Sequence, residues 1–207
     1  MTERSDVELM AAVKAGDDEA FRELVNRHRA AIVNLAYRYC RNRTDAEDLA
    51  QVVFLKVYRA RDRYEPAAKF TTWLYRIAVN ASLNEVRNRK NRPTHHAASL
   101  GPRADDTPGF AQSVADDGAA APIAEVERQE LHEQVRAAVE DLPERQRMAL
   151  LLNKFHGLSY EELAATMEMT IPGIKSLLLR ARENVRVRLE PYLKAGADRW
   201  SEKRGTA

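Results

Sequence analysis

The chain has 207 residues, enough for one or two compact domains, and a hydrophobic fraction of 44% that can fill their cores. Its single cysteine, Cys40, excludes a disulfide framework within the chain, as expected for a protein of the reducing cytoplasm. No apolar run approaches the roughly 18 residues of a membrane span, and the charged N-terminus lacks the apolar core of a signal peptide. We therefore expect a cytoplasmic protein.

Charge is distributed unevenly, although the formal net charge is only +2. Residues 86–92 carry four basic side chains and no acid, and residues 174–188 carry five basic side chains against one acid, Glu183. Between them, residues 93–124 hold one arginine and four aspartates. Two basic segments separated by an acidic connector suggest two contacts with a polyanion such as DNA.

Four helices are predicted in the first ninety residues. Ser5 can cap a short helix that ends at Gly16, and a longer helix follows over about residues 18–40. Thr44 and Glu47 have the spacing of a capping box for a third helix, over about residues 45–60. Pro66 interrupts the chain before a fourth helix over about residues 69–89.

A second helical unit is predicted after a linker. Residues 93–124 contain four prolines and three glycines without a sustained apolar period, which predicts a flexible segment. Helices are then predicted over about residues 125–141, 143–155, 160–167 and 171–193, and residues 194–207 form a tail with no assigned role. No segment has the pattern of a strand, so the predicted fold class is all-α with two domains, residues 5–92 and 125–193.

The pattern of residues 159–186 is that of a helix-turn-helix. Ser159 and Glu162 form a predicted capping box for a short helix, and Thr170 can cap the longer basic helix that follows a tight turn. In this motif the second helix enters the major groove of DNA. Residues on its outward face and at the start of the first helix are therefore candidate DNA contacts: Ser159, Tyr160, Lys175, Ser176, Leu179, Arg180 and Arg182.

Two alternatives remain open for this unit. The basic residues alone would also suit a solvated helix in a small bundle, but the two caps, the turn and the separation of faces favour the DNA-binding interpretation. Leu179 is apolar on a polar face, so it could pack on a thymine methyl group or simply pack locally.

The fourth helix carries a second, unusual stripe. Trp73, Arg76, Asn80, Asn84 and Arg87 recur at helical spacing beside a separate apolar stripe. An exposed aromatic ring beside arginines suits stacking on unpaired bases. The alternative is a half-buried tryptophan in an ordinary helical bundle.

At this point the sequence strongly resembles the extracytoplasmic-function sigma factors. The segments that carry the resemblance are DAEDLAQVVF (45–54), FTTWLYRIAVN (70–80), residues 81–92, DLPERQR (141–147), GLSYEELA (157–164), IKS (174–176) and RARE (180–183). The resemblance covers about residues 5–193 in order. The sequence departs from the family at Val53, where an acid is common, at Leu177, where arginine is common, and at Leu179, where a polar or aromatic residue is common.

The resemblance implies promoter recognition together with core RNA polymerase, through its clamp and flap regions. Residues 159–188 would read the −35 element as duplex, and residues 61–92 would open and hold the −10 element, with an unstacked base captured by the loop at residues 63–71. The implied −10 contacts are Phe70, Thr71, Trp73, Arg76, Asn80, Asn84 and Arg87. The implied clamp contacts are Asp45, Glu47, Asp48, Leu49, Gln51 and Phe54, although Leu49 and Phe54 could instead belong to the core.

No catalytic or cofactor site is predicted. The five histidines lack ligand spacing with Cys40, and no phosphate-binding glycine loop or nucleophile motif is present. The alternatives are a stand-alone helix-turn-helix regulator and a helical adaptor that binds only protein. Whether an anti-sigma protein binds is left open, and no membrane or small-molecule partner is expected.

Overall fold

The structure is a computed structural model that describes residues 4–66, 69–91 and 122–205; for residues 86–91, 122–127 and 195–205 it describes the backbone alone. Within these ranges the regular structure is helical, and no strand occurs. The predicted all-α fold class is confirmed. Residues 93–121, most of the predicted linker, lie outside the described residues.

Eight α-helices form the described chain, with a short 3₁₀ turn at Arg61–Arg63. They are α1 (Asp6–Lys14), α2 (Asp18–Cys40), α3 (Arg43–Arg59), α4 (Phe70–Asn91), α5 (Pro122–Glu140), α6 (Glu144–Phe155), α7 (Tyr160–Met167) and α8 (Ile171–Gly205).

The helix starts show where local sequence determines structure. The Ser159 capping box is confirmed, because its hydroxyl accepts from the backbone N–H of Glu162 while the Glu162 carboxylate accepts from the backbone N–H of Ser159. The cap predicted at Thr44 is wrong: α3 begins two residues earlier, and Asn42 accepts from the backbone N–H of Asp45 at 3.0 Å. Arg41 adopts a left-handed conformation that ends α2 and turns the chain into this cap.

Two further boundaries differ from prediction. Helix α5 begins at Pro122, three residues before the predicted start, because proline suits the first turn of a helix, where its missing N–H costs no hydrogen bond. Helix α8 continues through Pro191 to Gly205, so most of the predicted tail is helical.

The structure divides into two compact units, of which the first comprises Met1–Arg92 and Glu144–Leu179. Its largest fully buried side chains come from both stretches of the chain: Leu9, Met10, Leu24, Ile32, Leu35, Leu74, Met148, Leu151, Leu152, Leu163, Ile174 and Leu178. Helices α1 to α4 pack together, and α4 packs against α7. The second unit comprises Pro93–Pro143 and Arg180–Ala207, and within it Arg188 forms an ion pair with Asp141 at 3.0 Å.

Polar contacts join α4 to α6 and α7 inside the first unit. Lys69 forms an ion pair with Glu162, with Nζ and Oε1 2.9 Å apart. The Tyr75 hydroxyl lies 3.0 Å from Nδ1 of His156, and Nε2 of that histidine has no hydrogen-bond partner among the described residues. These two pairs are separated by 93 and 81 positions in the sequence, so they connect distant parts of the chain within the first unit.

Protonation of His156 is expected to make the free energy of unfolding depend on pH. Burial, and then the nearby Arg38 guanidinium, lowers the pKa of His156 to about 4 from 6.5. Above pH 6.5 the imidazole is neutral in the folded and unfolded states alike. As the pH falls from 6.5 to 4, the unfolded state binds the proton first, so the free energy of unfolding should decrease, by on the order of 2–3 kcal/mol.

Urea denaturation at pH 7 and pH 4.5 of the wild type and of His156→Gln checks this expectation. The wild type should lose more stability than the variant between the two pH values, because glutamine does not titrate. An identical loss in both proteins would contradict it.

Candidate nucleic-acid and polymerase-binding surfaces

The helix-turn-helix is held by a buried face of α8. Ile174 is 0% exposed and Leu178 is 1% exposed, at the helical spacing of four residues. Glu168 adopts a left-handed conformation that ends α7, and the Thr170 hydroxyl accepts from the backbone N–H of Gly173 at 3.2 Å. A left-handed residue after one helix and a side-chain cap on the next fix the tight turn of the motif.

The opposite face of α8 is open. All five of its predicted −35 residues are exposed: Lys175, Ser176, Leu179, Arg180 and Arg182. On α7 the Ser159 hydroxyl oxygen is used in the capping box, and Tyr160 is half-buried. The exposed face therefore presents three cations, one hydroxyl and one apolar side chain together, which is a composition able to contact phosphates and base edges.

Trp73 lies on a cluster of aromatic rings at the start of α4. Its ring centroid is 5.1 Å from that of Tyr64 and 6.0 Å from that of Phe70, and the His28 ring centroid lies 5.3 Å from that of Phe70. Phe70 is only 2% exposed and Tyr64 3%, whereas Trp73 is half-buried. Phe70, one of the implied −10 contacts, is thus a supporting residue beneath Trp73 in this structure.

The remaining residues of the α4 stripe differ in exposure. Asn80 and Asn84 are exposed, Thr71 is half-buried, and the side chain of Arg87 lies outside the described residues. Arg76 is half-buried, with its guanidinium 4.0 Å from the Glu168 carboxylate. Helix α4 therefore presents amide side chains and one partly covered aromatic ring along a single face.

A groove between α2 and α3 brings together three of the implied clamp residues. Glu47, Gln51 and Phe54 line it together with residues that the sequence did not single out, namely Phe21, Val25, Leu55 and Tyr58. Asp48 is exposed and Asp45 half-buried, but neither lines the groove, and Leu49 is 6% exposed. Leu49 and Phe54, which is 7% exposed, both belong to the core, as the alternative interpretation of these residues allowed, although Phe54 also lines the groove.

Two protein-family models match the chain: sigma-70 region 2 over residues 24–92 and sigma-70 region 4 over residues 132–185. The chain is 35% identical to the RNA polymerase sigma-H factor of Pseudomonas aeruginosa over 198 residues, covering 94% of this chain and 98% of the relative. It is 36% identical over 194 residues to the ECF RNA polymerase sigma-E factor of Escherichia coli strain K12, covering 92% and 97%. The chain belongs to the extracytoplasmic-function group of the sigma-70 family.

Solved structures agree on the fold of this sigma factor. CnrH in complex with the cytosolic domain of CnrY superposes with a TM-score of 0.62 at 22% identity, covering 91% of this chain and 99% of that one. The sigma factor RpoE from Bartonella quintana, in complex with the anti-sigma factor NepR, gives a TM-score of 0.59, covering 82% and 96%. As a member of its family, the protein is a transcription-initiation factor that binds core RNA polymerase and directs it to specific promoters.

The groove residues that sequence reasoning missed become apparent only in the structure. Val52 and Leu55 are 43% and 48% exposed on α3, so the outer face of that helix carries apolar side chains where an isolated bundle would carry polar ones. Phe21 and Tyr58 pack together across the groove with ring centroids 5.0 Å apart. Because they come from different helices, their proximity required the three-dimensional fold.

The described residues of this sigma factor contain no group of three or more His, Cys, Asp and Glu side chains placed to hold a metal ion. None of the helices in the described part of the chain combines the length and the apolarity that a membrane span requires. Of the histidines, His28 lies 2.8 Å from the Asp6 carboxylate in a structural contact between α1 and α2.

Proposed function

We propose that this sigma factor reads the −35 element as duplex through α7 and α8. The observation that carries the proposal is the division of α8 into a buried face and an outward basic face, because the second helix of such a motif enters the major groove. Lys175, Ser176, Leu179 and Arg180 would meet base edges or phosphates, Arg182 would meet phosphates, and Ser159 and Tyr160 would lie near the backbone.

Helix α4 is proposed to contact the −10 element. Trp73, supported from below by Tyr64 and Phe70, would stack against an unpaired base, and Arg76, Asn80, Asn84 and Arg87 would hold the opened strand. Opening a step of DNA costs a few kcal/mol, and stacking returns about 1–3 kcal/mol per captured base. Thr71 would contribute to the edge of the same site.

The groove between α2 and α3 is the proposed polymerase clamp surface. It combines an apolar floor, from Phe21, Phe54 and Leu55, with a polar rim at Glu47 and Gln51. Apolar anchors surrounded by polar groups are the usual composition of a protein interface. Asp45 and Asp48 would extend its acidic rim, and the core residue Leu49 would support α3 from below.

The proposal also covers location, activity, domain roles and a further partner. The protein would act in the cytoplasm without catalytic activity, cofactor or metal of its own, and the polymerase would catalyse RNA synthesis. Residues 5–92 and 125–193 act as its −10 and −35 domains, joined by residues 93–124. An anti-sigma protein is a candidate partner because the sigma factor RpoE from Bartonella quintana was solved with one.

Transcription from a promoter library, using purified core polymerase with and without this protein, tests the proposal. The expected result is a set of protein-dependent transcripts whose promoters share −35 and −10 elements. Sequence-specific binding by the free protein without any stimulation of transcription would instead support a stand-alone regulator.

Arg180→Ala is expected to reduce use of a selected promoter by about 5- to 150-fold and to relax preference at one −35 position, because it removes a contact worth roughly 1–3 kcal/mol. Lys154→Ala is a matched control, since Lys154 is an exposed cation on α6, which precedes the helix-turn-helix. Initiation rates on the promoter and on single-base −35 variants give the readout. Equal losses for both variants would show a general effect of charge instead.

A further inference from the structure

Leu179 is the most exposed of the large apolar side chains in the described residues, at 67%. It lies eight residues after the start of α8, on the outward face of the helix-turn-helix. Single exposed leucines are common on protein surfaces and need no explanation by themselves. The position of this one is informative, because its neighbours on the face are the polar and basic residues proposed to meet DNA.

The geometry of α8 directs Leu179 away from the core. At 3.6 residues per turn, it lies about 140° around the helix from Ile174, which is 0% exposed. Lys175 precedes it by four residues and Ser176 by three, so the three side chains stand on adjacent turns of one surface. Whatever approaches the cations of this surface also covers the leucine.

Leu179 lies within the segment of α8 that is proposed to contact DNA. Glu183, one turn further on, is paired with Arg186 through hydrogen bonds of 2.7 and 3.0 Å, so its negative charge is compensated within the helix. Arg180 and Arg182, which lie between Leu179 and Glu183, are exposed. Leu179 is therefore preceded by Lys175 and followed by Arg180 on the surface that would approach DNA.

The major groove offers this side chain one apolar partner. Guanine, cytosine and adenine present hydrogen-bond donors and acceptors there, whereas thymine adds its 5-methyl group. Placing Leu179 against polar edges would leave their hydrogen-bonding groups unpaired, which costs free energy. A thymine methyl group satisfies the apolar side chain while Lys175 and Arg180 keep their contacts with the same DNA.

We propose that Leu179 is a specificity-determining residue that contacts the 5-methyl group of one thymine in the −35 element, so that this sigma factor requires that methyl group for full promoter use. The inference rests on the proposed −35 role of α8 and adds the base and the atom that one side chain reads.

Deoxyuridine differs from thymine only by the missing 5-methyl group, so it tests the contact directly. Each thymine of a selected −35 element is replaced in turn, and the substituted and parent promoters compete for the full holoenzyme in one reaction. At one position, deoxyuridine is expected to reduce promoter use about two- to fourfold, the value of one methyl group removed from water. At the other positions it should have no effect.

Two variants complete the test. Leu179→Ala should weaken use of the thymine promoter and abolish the difference between thymine and deoxyuridine at the sensitive position. Val187→Ala is the matched control: Val187 is 53% exposed on the same helix, two turns beyond Leu179 and past Glu183. It should leave both promoter use and the methyl dependence unchanged.

Three results would overturn the inference while leaving the −35 role intact: a selected −35 element without thymine, deoxyuridine without effect at every position, or a methyl effect that persists in Leu179→Ala. A loss in Leu179→Ala that is equal on all promoters would assign the side chain to a protein contact instead, which also overturns it. Failure of the proposed function is distinct, because no protein-dependent transcript would then appear from any promoter.

Discussion

Leu163→Ala is expected to lower the free energy of unfolding by about 2–5 kcal/mol, the cost of removing a fully buried leucine side chain and leaving a cavity. Leu163 lies on α7 and is 0% exposed. It comes from the helix that packs against both α4 and α6, so the cavity would open where the helix-turn-helix meets the rest of its unit. Urea denaturation followed by circular dichroism measures the loss.

Leu179→Ala is the matched control for this prediction, since it makes the same chemical change at a side chain that is 67% exposed. Its expected effect on stability is within about 0.5 kcal/mol. The contrast therefore separates burial from side-chain identity. Similar values for the two variants would contradict the packing described for α7.

Trp73→Ala is expected to reduce promoter opening by about 5- to 150-fold while closed-complex formation changes little, because stacking on an unpaired base is worth about 1–3 kcal/mol. The measurement is permanganate reactivity of unpaired thymines in the −10 region, with binding to the duplex followed separately. Trp73→Tyr keeps an aromatic face and should retain most of the opening activity.

The position of Trp73 on Tyr64 and Phe70 makes a stability control necessary. The thermal midpoints of Trp73→Ala and Trp73→Tyr should be compared before opening is measured at a temperature where both are folded. Full permanganate reactivity with a folded Trp73→Ala would assign the ring to packing alone, which was the alternative interpretation of the sequence.

Local patterns were sufficient to predict most helices of the fold. The Ser5 cap and the Ser159 capping box form as expected, and Glu8 completes a second capping box at Ser5 that the sequence analysis did not predict. The cap at Thr44 failed because Asn42, two residues earlier, competes for the same role and the left-handed Arg41 favours it. Local patterns therefore identify a helix more reliably than its first residue.

The site was predictable only in part, for a different reason. The exposed face of α8 follows from helical periodicity alone, so the sequence identified it. The burial of Phe70 depends on Tyr64 and His28, which reach it from other parts of the chain. The groove at Phe54 likewise depends on Phe21, which no spacing along the chain could relate to it.

The ion pair between Lys69 and Glu162, and the contact of Tyr75 with His156, have a consequence for promoter geometry. Elements centred near −35 and −10 are separated by about 25 base pairs, or about 85 Å of duplex at roughly 3.4 Å per base pair. Two helices whose side chains are in contact cannot at the same time bind two DNA elements separated by that distance. If α4 and α7 contact the −10 and −35 elements as proposed, the described conformation cannot contact both at once, and binding a whole promoter would require α4 and α7 to separate.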